Sequence, residues 1–164
     1  MREQTARLVR IGLLWDFRIR HVLREDFKLE KKLMLPADTA MLIREQVARI
    51  NVCLSRIDIG RSSTIQASIN QAKFDALEHY ATSPLFADGE RAALDYVTEL
   101  TRDKKVNPCT FARMAGYYSE RAICEIAWLV ASEHLYIKTN IGLNMHSNVH
   151  RDISRKASWS CPLL

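Results

Sequence analysis

Apolar residues recur at three- and four-residue steps along nearly the whole chain, and this spacing limits the possible folds more than any other feature. One stripe consists of Leu8, Ile11, Trp15, Ile19 and Val22, and another of Ile43, Val47, Ile50 and Leu54. No segment of real length alternates with the period of two that is typical of strands. We therefore predict an all-α fold, a bundle of about six helices.

Capping residues and prolines predict where several helices begin and end. The predicted N-caps are Asp38, Asp88 and Asn107, and Pro108 follows the last of them at a first helical position. Gly116 predicts a stop, and the last long helix is predicted to begin at Ser119. Because residues 119–137 are apolar over much of the helix girth, we expect this helix to be buried.

The net charge of +5 lies at the two ends of the chain. Residues 1–33 carry nine Lys/Arg against five Asp/Glu, whereas residues 34–144 are nearly balanced, so we expect no nucleic-acid partner. Residues 145–164 lack an apolar stripe and form a predicted basic, polar C-terminal tail. No apolar run approaches the length of about 20 residues that spans a bilayer, so we expect no membrane partner.

The four cysteines, Cys53, Cys109, Cys124 and Cys161, share no short spacing that would indicate a zinc site or a disulfide framework. We therefore expect a reducing, cytoplasmic location and no cofactor. His146 and His150 have the spacing of a helical metal pair, but no third ligand accompanies them, and no metal site is predicted.

Three blocks of the chain contain recognisable motifs. Residues 50–60 read Ile-Asn-Val-Cys-Leu-Ser-Arg-Ile-Asp-Ile-Gly. Residues 82–94 contain a Ser-Pro-Leu-Phe segment followed by Glu-Arg-Ala-Ala-Leu, and residues 140–144 read Asn-Ile-Gly-Leu-Asn. In this order the blocks resemble the alkylhydroperoxidase D/carboxymuconolactone decarboxylase-like family, which reads Ile-Asn-Gly-Cys-x-x-Cys-Ile-Asp-x-His at the first block and has an Asn-rich segment at the last. The resemblance runs from residue 41 to about residue 144 and implies a single helical domain over residues 1–144 that assembles as a homo-oligomer.

The resemblance also implies a site, of which only one functional group is kept. In the family, two cysteines alternate between dithiol and disulfide while they reduce a hydroperoxide, and a glutamate and a histidine move the proton. Cys53 matches the first cysteine, whereas Arg56 stands at the second, Gly60 at the histidine and Met41 at the glutamate. We therefore predict Cys53 as the candidate catalytic residue, in a site lined by Met41, Arg56 and Gly60. We also predict that the dithiol peroxidase cycle is absent.

Two interpretations of the site residues remain open in the sequence. Cys53 is either a reactive thiol or a buried core residue. If Cys53 and Met41 share a pocket, the helix must break between them, and Asn51 is suited to that break because asparagine tolerates a left-handed conformation. Arg56 binds an anionic ligand, or it pairs with Asp58 or with a carboxylate on a neighbouring helix.

The chain as a whole is then either a binding protein for an unknown small ligand or an enzyme. The enzyme would be a one-cysteine, peroxiredoxin-type peroxidase or a decarboxylase.

Overall fold

The computed structural model describes residues 17–30, 32–53, 56–57 and 71–142. Six α-helices lie in these segments: α1 (Phe17–Glu30), α2 (Ala37–Ile50), α3 (Gln71–Asp75), α4 (Asp88–Arg102), α5 (Pro108–Ala115) and α6 (Glu120–Gly142). A single 3₁₀ turn, Ala76–His79, continues α3, and the described segments contain no strand. The predicted all-α fold of about six helices is confirmed.

The chain divides into two compact units, residues 1–34 and residues 35–164. The described part of the first unit is mainly α1, whose Lys28 and Glu25 form a surface ion pair of 2.6 Å. Val22 and Leu29 are exposed on this helix. The rest of the predicted N-terminal stripe, including Trp15, lies outside the side chains that the structure describes.

The core of the second unit is built where α2 packs against α4 and α6. Its fully buried apolar side chains include Leu42, Ile43, Val47, Leu94, Val97, Ile126, Leu129 and Ile137. Helix α6 is the longest, at 23 residues. It is buried on one face, as predicted, but Leu135 on its opposite face is 47% exposed, so the helix is not enclosed on all sides.

Helix boundaries agree with the sequence at three positions and differ at two. Asn107 caps α5 by accepting a hydrogen bond from the Cys109 amide at 2.9 Å, and α5 and α6 end and begin beside Gly116 and Ser119 as predicted. The predicted cap at Asp38 is wrong, because the N-cap is Pro36, two residues earlier, and α2 begins at Ala37.

The predicted cap at Asp88 is also wrong. Ala87 is the N-cap of α4 and has no side-chain acceptor, so Asp88 is the first helical residue. The Glu90 carboxylate reaches back and accepts from the Ala87 amide at 2.9 Å, which satisfies one of the free amides at the helix start.

The loop before α4 is held by a single arginine. Arg91 donates from Nη2 to the Ser83 carbonyl at 2.8 Å and from Nε to the Tyr80 carbonyl at 3.3 Å, and its Nη1 pairs with Asp88 at 2.7 Å. The Ser-Pro-Leu-Phe part of the family's second block is therefore a loop fixed to α4, which contains the rest of that block. In the described segments, no helix combines the length and the apolar character needed to cross a membrane.

Candidate functional site

Helix α2 ends in a Schellman motif, and Cys53 is the last residue of that motif. The Cys53 amide donates to the Ala48 carbonyl at 2.9 Å, and the Val52 amide donates to the Arg49 carbonyl at 3.0 Å. These two bonds satisfy the carbonyls that the last turn of a helix leaves free. The chain therefore turns sharply at residues 51–52, and Cys53 leaves the axis of α2.

The left-handed residue of this turn is Val52, with φ of 52°. We expected the break at Asn51, but Asn51 is the C-cap, with φ of −85°. The family pattern has glycine at the Val52 position, and glycine adopts a left-handed conformation without steric cost. A β-branched residue is strained there, so this chain keeps the turn at a cost in free energy.

Cys53 lies at the start of the next helical turn. Its carbonyl accepts from the Arg56 amide at 3.0 Å and from the Ile57 amide at 3.1 Å, the bonds with which a helix begins. These bonds place Cys53 directly before a helical turn that contains Arg56 and Ile57. The residue is only 5% exposed, so the thiol is enclosed.

The Arg56 side chain is fixed by two residues of α6. Its Nε and Nη2 donate to the two carboxylate oxygens of Glu133 at 2.5 and 2.6 Å. Its guanidinium carbon lies 5.0 Å from the centre of the Tyr136 ring, in cation–π range. The arginine side chain is 15% exposed and the glutamate 2%, so this is a buried ion pair. Of the interpretations of Arg56, pairing with a carboxylate on another helix is therefore the one that the structure shows.

The charges around Arg56 favour its protonated form. Burial alone opposes the positive charge, but the hydrogen bonds and the negative charge of Glu133, together with Tyr136 and Cys53, more than offset it. The pKa of Arg56 is therefore raised above its ordinary value. Cys53 interacts electrostatically with this guanidinium, so thiol, cation and carboxylate form one cluster.

His134, the residue that follows Glu133, contacts the turn through Asn51. His134 Nδ1 lies 2.8 Å from the Val130 carbonyl, which can only accept, so Nδ1 carries the proton. Its Nε2 is then an acceptor and lies 3.4 Å from Asn51 Nδ2. Asn51 Nδ2 also donates to the Val47 carbonyl at 2.8 Å. Glu133 and His134, two consecutive residues of α6, thus contact Arg56 and Asn51, which lie on either side of Cys53 in the sequence.

The structure brings together two of the four predicted site residues, Cys53 and Arg56. Met41 is half-buried in the second turn of α2, and Gly60 lies outside the described residues. Asp58, His146, His150 and Cys161 also lie outside them. Among the described residues, Cys109 and Cys124 are free cysteines, and no group of three or more His, Cys, Asp or Glu side chains could hold a metal ion.

Sequence reasoning missed Glu133, His134 and Tyr136 as members of the site. The available signal was the charge of Glu133 inside an otherwise apolar helix, since a carboxylate on a buried face needs a partner. The pattern indicated that α6 was buried and gave a carboxylate on a neighbouring helix as one possible partner of Arg56. It did not join the two, because the residues are 77 positions apart.

No protein-family model matches the chain. The uncharacterised protein YnjA of Escherichia coli (strain K12) is 24% identical over 105 residues, which are 63% of this chain and 58% of that protein. The match therefore spans less than two thirds of the relative's own length.

Solved structures resemble the chain more extensively. ATU0492 of Agrobacterium tumefaciens, a protein of unknown function proposed as an antioxidant defence protein AhpD, superposes with a TM-score of 0.72 at 16% identity. The match covers 80% of this chain and 91% of that one. A variant of the debrominase Bmp8 in complex with 2,3,4-tribromopyrrole superposes with a TM-score of 0.70 at 20% identity, over 79% of this chain and 71% of that one.

The fold is that of AhpD-like all-α proteins. At these sequence identities the likeness shows a shared fold only. The chemistry has to be argued from the residues of the site.

Proposed function

We propose that the chain is a diverged member of the alkylhydroperoxidase D/carboxymuconolactone decarboxylase-like family that has lost the dithiol peroxidase cycle and binds a small ligand at the Cys53 site. The observation that carries this proposal is the buried ion pair between Arg56 and Glu133. A guanidinium fixed by two hydrogen bonds stands where the cycle needs a second thiol. Cys53 then has no neighbour in the motif with which to close a disulfide.

The peroxidase assay tests the loss of turnover. The reduced protein should consume an organic hydroperoxide with a dithiol donor no faster than Cys53→Ala does. A tenfold higher rate in the wild type would refute the proposal.

The double variant Arg56→Cys/Glu133→Gln is a positive control for the position of Arg56, since it restores the second thiol and leaves no carboxylate unpaired. On mild oxidation it should form an internal disulfide between residues 53 and 56, seen as a loss of two hydrogens by mass spectrometry. Without that disulfide, Arg56 would not stand at the family's second cysteine.

Ligand binding is tested by native mass spectrometry of the gently purified protein. We expect a bound small molecule that is lost on denaturation and is weakened in Arg56→Met, because Arg56 is the charged group beside the thiol. A wild type that carries nothing and binds nothing from a small-molecule extract would contradict the binding part of the proposal.

A second candidate is a one-cysteine peroxidase, supported by the position of Cys53 directly before a helical turn, whose first amides donate to the Cys53 carbonyl. In that reaction the thiolate attacks the hydroperoxide, an alcohol leaves, and Cys53 becomes a sulfenic acid. An external thiol then forms a mixed disulfide with release of water, and a second thiol restores Cys53. A debrominase among the structural neighbours, solved as a cysteine-to-alanine variant, is consistent with cysteine chemistry on this fold.

The proposal includes a reducing, cytoplasmic setting, which the free cysteines Cys109 and Cys124 fit. It also includes assembly as a homo-oligomer. Leu135 and Ile141 are 47% and 56% exposed on α6, and a second copy would cover such apolar side chains.

A further inference from the structure

We propose that Glu133 is a positioning residue that sets the reactivity of the Cys53 thiol through the charge of Arg56. The inference rests on the proposed function in one respect: Cys53 is taken as the centre of the site. It assigns a role to a residue of α6 that lies outside the motif of residues 50–60.

The first step is the geometry of the ion pair. Both carboxylate oxygens of Glu133 accept from the guanidinium, at 2.5 and 2.6 Å, and the glutamate side chain is 2% exposed. A bidentate pair fixes the plane as well as the position of the guanidinium. The Tyr136 ring, 5.0 Å away, packs against that plane. Arg56 is therefore held in one place relative to Cys53.

The second step is charge compensation. Glu133, Tyr136 and Cys53 are among the described titratable groups that interact with Arg56. A lone cation beside a thiol favours the thiolate, but a cation paired with a carboxylate at hydrogen-bond distance has almost no net charge. Glu133 thus suppresses the activation that Arg56 alone would give to the thiol.

The third step separates this charge effect from simple support of the turn. His134, the next residue of α6, contacts the opposite flank through Asn51 at 3.4 Å and does not join the ion pair. Loss of the His134 contact loosens the turn and leaves both charges of the Arg56–Glu133 pair in place. Loss of the Glu133 charge changes the electrostatics and leaves the Asn51 contact in place. The two residues are therefore a matched pair for experiment.

The test follows the alkylation of Cys53 by iodoacetamide from pH 6 to 10. The folded full chain is used, and mass spectrometry resolves the Cys53 peptide from those of the other cysteines. We expect Glu133→Gln to move the midpoint of the rate profile down by about one pH unit, which is roughly a tenfold faster reaction at pH 7. Arg56→Gln should move it up, because a bare carboxylate then lies near the thiol.

Two variants provide the controls. The double variant Arg56→Gln/Glu133→Gln should return the midpoint to within about 0.3 pH units of the wild type, since its net charge at the site is again zero. His134→Gln should change the rate equally at every pH and leave the midpoint in place. Circular dichroism verifies that each variant is folded. If Glu133→Gln does not fold, the direction in which Arg56→Gln moves the midpoint decides whether the charge of the ion pair controls the thiol.

An unchanged or raised midpoint in Glu133→Gln overturns the inference, as does a double variant that behaves like Glu133→Gln. A midpoint that falls in His134→Gln as well would show that opening of the turn, and not charge, controls the thiol. These results are independent of the proposed function, which is judged by peroxide consumption and by ligand retention.

Discussion

Arg56 and Glu133, 77 residues apart in sequence, form a two-bond ion pair that joins the turn after α2 to the middle of α6. The side chains are 15% and 2% exposed, so both charges have left bulk water. A buried pair of this kind contributes little net stability against an apolar pair of the same size, but it becomes costly when one partner is removed. The pair therefore tolerates joint replacement better than single replacement.

The first prediction is a double-mutant cycle on this pair. Arg56→Met and Glu133→Met should each lower the free energy of unfolding by about 3–5 kcal/mol, because each leaves a buried charge without its partner. The double variant should lie within about 2 kcal/mol of the wild type. Urea unfolding at pH 7.5 measures all four proteins. Additive losses in the double variant would show that the two side chains act independently.

The second prediction concerns the strained turn. Val52→Gly should raise the free energy of unfolding by about 0.5–1 kcal/mol, because it removes a left-handed β-branched residue and the gain exceeds the entropy cost of glycine. Lys104, with φ of 59°, is the matched control, and since it is not β-branched its change to glycine should gain less. A loss of stability in Val52→Gly would mean that the 74% exposed Val52 side chain makes contacts that outweigh the strain.

The fold could be predicted from the sequence because helical periodicity repeats in every long segment, so that small errors at the ends do not matter. The errors at Asp38 and Asp88 arose because any residue with an extended backbone can precede a helix, and a nearby Glu90 or Pro36 makes the side-chain cap dispensable. The periodic pattern predicts that these helices exist, and their N-caps lie two residues before Asp38 and one residue before Asp88.

The site was predictable only in part. The motif identified Cys53 and Arg56, since both lie in one contiguous segment. Glu133 and His134 come from a helix whose sequence reads as apolar, and the fold alone determines which turn of α6 faces Cys53. The sequence alone gives Arg56 either an anionic ligand or a carboxylate as its partner, and it has no way to choose among the carboxylates of distant helices.

The third prediction uses the pKa of Tyr80, which is raised to about 12. Burial is the main cause; the hydrogen bond with Thr98 opposes it, and the bond to Asp95 and the charge of Asp95 add to the increase. A tyrosine that holds its proton more tightly when folded contributes stability that is complete below pH 10. This contribution is lost as the pH rises from 10 to about 12, because only the unfolded chain ionises in that window.

Tyr80→Phe should therefore be less stable than the wild type at pH 8 by about 1 kcal/mol, since the 2.7 Å bond to Asp95 is lost. The difference should shrink at pH 10.5 and again at pH 11.5, as measured by urea unfolding. Other tyrosines titrate in both proteins and cancel in the comparison. A difference that stays constant across this range would show that Tyr80 ionises with an ordinary pKa.

The last prediction concerns assembly. Along the outer face of α6, Cys124, Ala131 and Leu135 are exposed at helical spacing, and Ile141 lies further along the helix. Apolar side chains on one face of a helix associate when a partner excludes water from them. Light scattering at micromolar concentration should give at least twice the chain mass of 18.9 kDa.

Leu135→Glu should shift the protein towards the monomer, because it introduces a charge into that face. Phe111→Glu, at a comparably exposed apolar residue of α5, should keep the wild-type mass. A monomeric wild type contradicts the homo-oligomer, and an unchanged mass in Leu135→Glu removes this face of α6 from the interface.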